Sequence, residues 1–242
     1  MSSTTRRRIL PICATVAMAA ATLAPTATAA TLSHGKLIRN TIGTSSNWSG
    51  YDSTAGPFTS VSASWTQPSV TCPTAKKNSY SSFWVGLDGD GTSTVEQTGT
   101  DSDCIRGNQT YYGWFEMYPA APVNFTNPVK PGDAMHASVT YQSSTFKLVL
   151  TDQTRGWTQT ITKSLNSATR MSAEVIAEAP SSGKVLPLAD FGTVKFTSAL
   201  ANGTALGTHS PNEIIMASGG TTKATPSALS VGENFSVTWD HS

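Results

Sequence analysis

Four stretches of this chain set acids and amides among aromatic and aliphatic residues: Ser82-Phe83-Trp84-Val85-Gly86-Leu87-Asp88-Gly89, Val95-Glu96-Gln97-Thr98-Gly99, Tyr111-Tyr112-Gly113-Trp114-Phe115-Glu116-Met117-Tyr118-Pro119 and Ser172-Ala173-Glu174-Val175-Ile176-Ala177-Glu178. A carboxylate moves protons as a general base or acid, and a carboxamide donates hydrogen bonds without titrating. In an extended strand Glu174, Ile176 and Glu178 share a face, with the carboxylates roughly 13 Å apart, too far to share a proton. Trp84, Tyr112, Trp114, Phe115 and Tyr118 offer flat surfaces that fill a core or line a groove for an extended ligand. Carboxylates flanked by Trp and Tyr suit a carbohydrate-active or carbohydrate-binding β-sandwich. The amide discriminates, because a glycosidase needs two carboxyl groups about 5–10 Å apart and no Gln.

Other chemistries find less support. The histidines are His34, His136, His209 and His241, with no HExxH and no closely spaced Cys/His set, which argues against a zinc hydrolase. No G-x-S-x-G elbow is present. Asp88-Gly89-Asp90-Gly91 resembles the start of a calcium loop, but Gly99 stands where the bidentate Glu belongs, so the stretch reads as a tight turn. No metal and no cofactor are expected. With 16 basic against 15 acidic residues the chain has no basic field for nucleic acid, and 38% hydrophobic content excludes a disordered polyelectrolyte.

These side chains need a scaffold, and the pattern supplies strands. Short runs rich in Val, Thr, Tyr, Phe and Trp, separated by Gly, Pro, Asn and Asp, predict strands at 47–52, 58–66, 80–88, 94–99, 109–118, 134–142, 145–151, 157–163, 172–178, 192–198, 212–217 and 234–240. Phe146, Leu148 and Leu150 alternate with Lys147, Val149 and Thr151, which places one face inward. No segment sustains a helical period. The expectation is an all-β, antiparallel double-sheet sandwich or jelly roll, one domain over residues 47–242.

Arg6, Arg7 and Arg8, an apolar run from Ile9 to Leu23, and Ala27-Thr28-Ala29 read as a signal peptide over residues 1–29, hence a secreted, extracellular protein. The polar stretch 30–46, with His34, Lys36 and Arg39, reads as a pro-segment or loose N-terminal arm. Removing residues 1–29 leaves 13 basic and 15 acidic residues, with nothing to suggest membrane binding, and the expectation is a monomer. Cys13 leaves with the leader. Cys72 and Cys104 remain as an even pair in an oxidising compartment, where a disulfide closing about thirty residues stabilises by roughly 3–4 kcal/mol.

Taken together, Asn47-Trp48-Ser49-Gly50-Tyr51, Trp84-Val85-Gly86-Leu87-Asp88-Gly89, Gln97-Thr98-Gly99, Trp114-Phe115-Glu116-Met117-Tyr118-Pro119, Ala173-Glu174-Val175-Ile176-Ala177-Glu178 and Leu186-Pro187-Leu188-Ala189-Asp190-Phe191 resemble the glutamic peptidases, or eqolisins, in order and spacing. The resemblance implies a concanavalin-like double-sheet sandwich with a cleft on the concave face. It implies an acid endopeptidase acting on polypeptides, with Gln97 and Glu178 as a catalytic dyad, and with Trp84, Asp88, Trp114 and Glu116 lining or buttressing the cleft. Tyr112 and Met117 depart from the fungal pattern, which has an acid and an aromatic residue there.

Overall fold

This computed structural model describes Met1 and residues 32–41, 43–73 and 77–242. The proposed leader, residues 1–29, therefore lies almost wholly outside the described residues. The strands are β1 (Arg39–Thr41), β2 (Thr44–Ser45), β3 (Trp48–Ser53), β4 (Ser60–Thr66), β5 (Ser82–Leu87), β6 (Val95–Ile105), β7 (Asn108–Tyr118), β8 (Val123–Pro128) and β9 (Ala134–Gln142). They continue as β10 (Thr145–Asp152), β11 (Trp157–Lys163), β12 (Ala173–Glu178), β13 (Thr193–Ala201), β14 (Thr204–Ala205), β15 (Asn212–Ser218), β16 (Thr221–Pro226) and β17 (Phe235–Trp239). A single turn of 3-10 helix, Leu206–His209, is the helical element among the described residues.

Pairing arranges these strands in two layers. A cleft sheet runs β15-β3-β12-β5-β6-β7-β8, antiparallel throughout. A back sheet runs β15-β16-β17-β13-β4-β9-β10-β11, also antiparallel. β15 belongs to both sheets, and its pairing with β2 is parallel, a departure from the antiparallel expectation shared by the isolated Tyr80–Leu188 bridge. The all-β double-sheet architecture is as the sequence predicts.

The core lies between the layers. Phe83, Val85, Leu87, Phe115 and Val175 point inward from the cleft sheet to meet Val61, Ala63, Met135, Ala137, Val139, Phe146, Leu148, Leu150, Val194 and Phe196 from the back sheet. In β10 Phe146, Leu148 and Leu150 are buried while Lys147 is exposed, so the alternation in the sequence is the alternation in the sheet.

Strands at 134–142 and 157–163 match their expected bounds. The 94–99 strand does not: β6 runs on through Gly99 to Ile105 and turns at Arg106-Gly107 into β7. A Cβ on Gly99 would lie 2.2 Å from the Phe83 carbonyl oxygen and 2.5 Å from Trp84 Cβ, so that glycine admits close packing inside the strand and does not end it. β8 and β16 were not anticipated; both end in Pro and carry few large apolar residues, which hides an edge or partly exposed strand.

Candidate active site

The outer face of the cleft sheet carries the residues singled out above. Strand register aligns them in rows: Glu174, Gly86, Gln97 and Glu116; then Ile176, Trp84, Gly99 and Trp114; then Glu178, Ser82, Asp101 and Tyr112. Because side chains two apart share a face, Gln97 and Glu178 emerge on the same side of the sheet, two strands and two rows apart. The tryptophan between them spans the gap. A Cβ on Gly86 would meet the Trp84 ring at Cζ3, 2.8 Å away, and Gln97 Cβ at 3.2 Å, so the bare glycine seats the six-membered ring beside Gln97. The other end of the same indole donates from Nε1 to Glu178 Oε2 at 2.8 Å.

Each member of the pair is held by a specific neighbour. Glu178 Oε1 accepts from Asn47 Nδ2 at 3.3 Å. Burial pushes the Glu178 carboxyl well above the ordinary range, Glu116 adds to the rise, and the positive charge of His34 opposes it. Gln97 Nε2 donates to Glu116 Oε2 at 3.1 Å. A carboxylate only accepts, so this bond fixes which way the carboxamide faces. Gln97 Oε1 is buried and has no hydrogen-bond partner among the described residues.

A segment of the chain itself lies over this face. Gln97 Nε2 also donates to the backbone carbonyl of His34. The His34 amide donates to Glu116 Oε2 at 2.9 Å, and Ser33 Oγ to Glu116 Oε1 at 3.0 Å. Trp48 Nε1 donates to the Gly35 carbonyl at 3.1 Å, and Asn47 Nδ2 to the Lys36 carbonyl at 3.1 Å. Ser33 exchanges backbone hydrogen bonds with Ser181 at 2.8 and 2.9 Å, on the loop after β12. Leu37 packs into a second apolar cluster with Trp48, Trp84, Val95, Trp114, Ile176 and Ile214. Gln97 and Glu178 are both 0% exposed beneath this cover.

Of the four further residues named from the sequence, three surround the pair. Trp84 contacts Glu178, Glu116 holds Gln97, and Trp114 stacks on the His34 ring with centroids 3.6 Å apart. Asp88 stands apart. Its carboxylate accepts from the amides of Thr169, Arg170 and Met171 at 2.7–3.0 Å and from the hydroxyls of Thr169 and Thr94, so it ties the loop before β12 to the turn after β5. Sequence reasoning missed Asp101, which accepts from Trp114 Nε1 at 2.6 Å and lies 2.8 Å from the Tyr112 hydroxyl. It passed over Asn47 as a site residue, although Asn47 opens the first of the stretches that carry the resemblance; nothing local distinguishes Asp101.

A second group of acids lies toward the Glu174 end. Glu174 is buried, with neither carboxyl oxygen partnered among the described residues, and burial pushes it well above the usual carboxylate range. Burial, with Asp90 close by, pushes Asp52 up to about 8. Glu96 is likewise pushed up to about 8, by burial and then by Asp88. The expected disulfide is present: Cys72 and Cys104 are bonded with Cα atoms 5.4 Å apart, which fastens the far end of β6 to the loop after β4. Among the described residues no helix is long and apolar enough to cross a membrane.

The sequence and the fold have relatives among known proteins. A profile of the Peptidase A4 family matches residues 46–239. Aspergillopepsin-2 of Aspergillus niger is 32% identical over 65% of this chain, which spans 64% of that relative's length, and Scytalidopepsin B of Scytalidium lignicola is 34% identical over 55% of this chain and 51% of its own. Among solved structures, scytalido-glutamic peptidase bound to a transition state analog inhibitor superposes with a TM-score of 0.70 at 25% identity, covering 81% of this chain and 98% of the other. Aspergilloglutamic peptidase from Aspergillus niger gives 0.60 at 30% identity over 67% and 99%. The chain belongs to the Peptidase A4 family, the eqolisins.

Proposed function

We propose that this chain is a secreted, monomeric glutamic endopeptidase that cuts polypeptides in acid by activating water between Gln97 and Glu178, without a metal or a covalent intermediate. One observation carries the reading. The cleft holds an extended peptide backbone by its own polar groups: Gln97 on the His34 carbonyl, Glu116 on the His34 amide and Trp48 on the Gly35 carbonyl. A substrate backbone presents the same groups.

In this reading the carbonyl under attack takes the place of the His34 carbonyl. Once residues 33–38 leave, water reaches Glu178, the burial that raises its carboxyl is relieved, and the carboxylate removes a proton from water as the oxygen attacks, then returns it to the departing amine. Gln97 Nε2, aimed by Glu116, donates to the oxyanion, a contribution of about 2.7–4 kcal/mol when a single donor is removed elsewhere. Gln97 Oε1, which has no protein donor among the described residues, accepts from the attacking water. Trp84 links the two ends by its bond to Glu178.

Residues 33–38 then act as a pro-segment that occupies the cleft until it is displaced. Residues 1–29, of which only Met1 is described, direct export. Casein digestion by the purified protein across the acid and neutral range tests the activity, with EDTA present and with Gln97→Ala and Glu178→Gln alongside. The expected result is proteolysis indifferent to EDTA, reduced on the order of 10²–10³-fold in kcat by Gln97→Ala and further by Glu178→Gln. Full proteolysis in both variants would refute the dyad, and loss to EDTA would refute a metal-free mechanism.

A further inference from the structure

The geometry points to the pocket around the His34 ring as the specificity subsite for the residue whose carbonyl is attacked, and to a flat cationic side chain, that of His or Arg, as what it selects. The inference rests on the proposed reading in which Gln97 marks that carbonyl. Gln97 takes the carbonyl of His34 and Glu116 its amide at 2.9 Å, so the backbone is gripped on both sides and the side chain enters one defined pocket.

Two requirements meet in that pocket. Trp114 lies parallel to the ring, with planes 5° apart and centroids 3.6 Å apart, which demands a planar group. Asp101 offers both oxygens at 3.3 Å from Nε2, and Glu116 lies 3.5 Å from Nδ1, which demands N–H donors and positive charge. Asp101 is itself fixed by Trp114 Nε1 and the Tyr112 hydroxyl, and Asp103 backs that hydroxyl at 2.8 Å. His34 is 1% exposed and the two carboxylates 0%, so a side chain bound there leaves water. Burial alone would lower the imidazole, but Asp101 and then Glu116 override it and hold His34 up to about 10. An imidazolium or a guanidinium satisfies both requirements, Lys only the charge and Phe only the shape. A neutral guest would leave buried carboxylates unpaired, and the cost of that sets the discrimination.

The test uses the full-length chain after acid incubation, with peptides identical except for His, Arg, Lys, Phe or Leu at the position before the cut. The expected result is kcat/KM for His and Arg above Phe and Leu on the order of 10- to 100-fold, with that ratio collapsing in Asp101→Asn. In parallel, NMR titration of the full chain should find the His34 imidazole protonated far above its ordinary range, and shifted down by Asp101→Asn. Cleavage with Phe equal to His and Arg would overturn the subsite while leaving the peptidase reading intact. Cleavage of no peptide, with His34 still titrating high and responding to Asp101→Asn, would overturn the peptidase reading and leave a pocket that binds flat cations. His34 titrating in its ordinary range would overturn the pocket itself.

Discussion

The two sheets of this sandwich treat their outer faces differently. On the back sheet the burial of β9, β10 and β11 alternates or fades, and outward residues such as Lys147, Thr160 and Thr162 meet solvent. On the cleft sheet β3, β5 and β12 are buried at every position, and so is most of β6. On that outer face, with Glu116 of β7, the hidden residues include Asp52, Gln97, Asp101, Glu174 and Glu178. A face packed with polar groups and closed to water costs stability unless each is paired or neutral. Both sheets supply the core, whereas the cleft sheet alone concentrates acids and amides under a cover.

The largest expected consequence is in the pH dependence of stability. Asp52 and Glu96 are pushed up to about 8, from ordinary values of 3.8 and 4.5, and Glu174, Glu178 and Asp103 rise as well. A carboxyl whose folded value lies above its unfolded value stabilises fully below the unfolded value and loses that contribution as pH rises through the folded one. Thermal unfolding should therefore show the highest Tm in acid and a fall of several kcal/mol in stability between about pH 4 and about pH 8. A Tm that climbs over that interval would break the contrast between the sheets.

Next in size is Gly99→Ala. Its Cβ would fall 2.2 Å from backbone on the neighbouring strand, so the cleft sheet must shift, and denaturant unfolding should record a loss of about 1–3 kcal/mol. His34→Ala removes the ring between Trp114 and the carboxylates but keeps the backbone contacts. The cover should come off more readily, seen as a shorter lag before casein hydrolysis begins and no later change in the steady rate. Smallest is Lys147→Thr on the back sheet, exposed in β10, which should leave stability within about 0.5 kcal/mol by the same unfolding measurement. A large effect there would mean that the back sheet's outer face is also in use.

The same contrast decides what could be read from the sequence. Back-sheet strands announce themselves by period 2, and two were bounded to the residue because turns flank them cleanly. Cleft-sheet strands, buried on both faces, lack that alternation and were located by their aromatic residues. Gly99 looked like punctuation because a glycine inside a strand and one at its end are the same letter. Gln97, Glu116, Trp84 and Trp114 were recognisable through the family pattern, and they do converge. Asp101 and Asn47 acquire their roles from contacts with residues far along the chain, Asn47 with Glu178 and Asp101 with His34, and no local pattern encodes those. Asp88 was read as a cleft residue by its motif, but its carboxylate is occupied by loop amides.

β15 has a mechanical corollary. On its side of the molecule the two layers are sewn together by main-chain pairing, to β3 in one direction and to β16 in the other. Across the far edges, β8 meets β11 through two side-chain bonds, Trp157 Nε1 to the Pro128 carbonyl at 3.0 Å and Gln159 to Asn127 at 2.6 Å. The sandwich is thus a book with one bound spine, and any breathing that widens it begins at the β8–β11 margin.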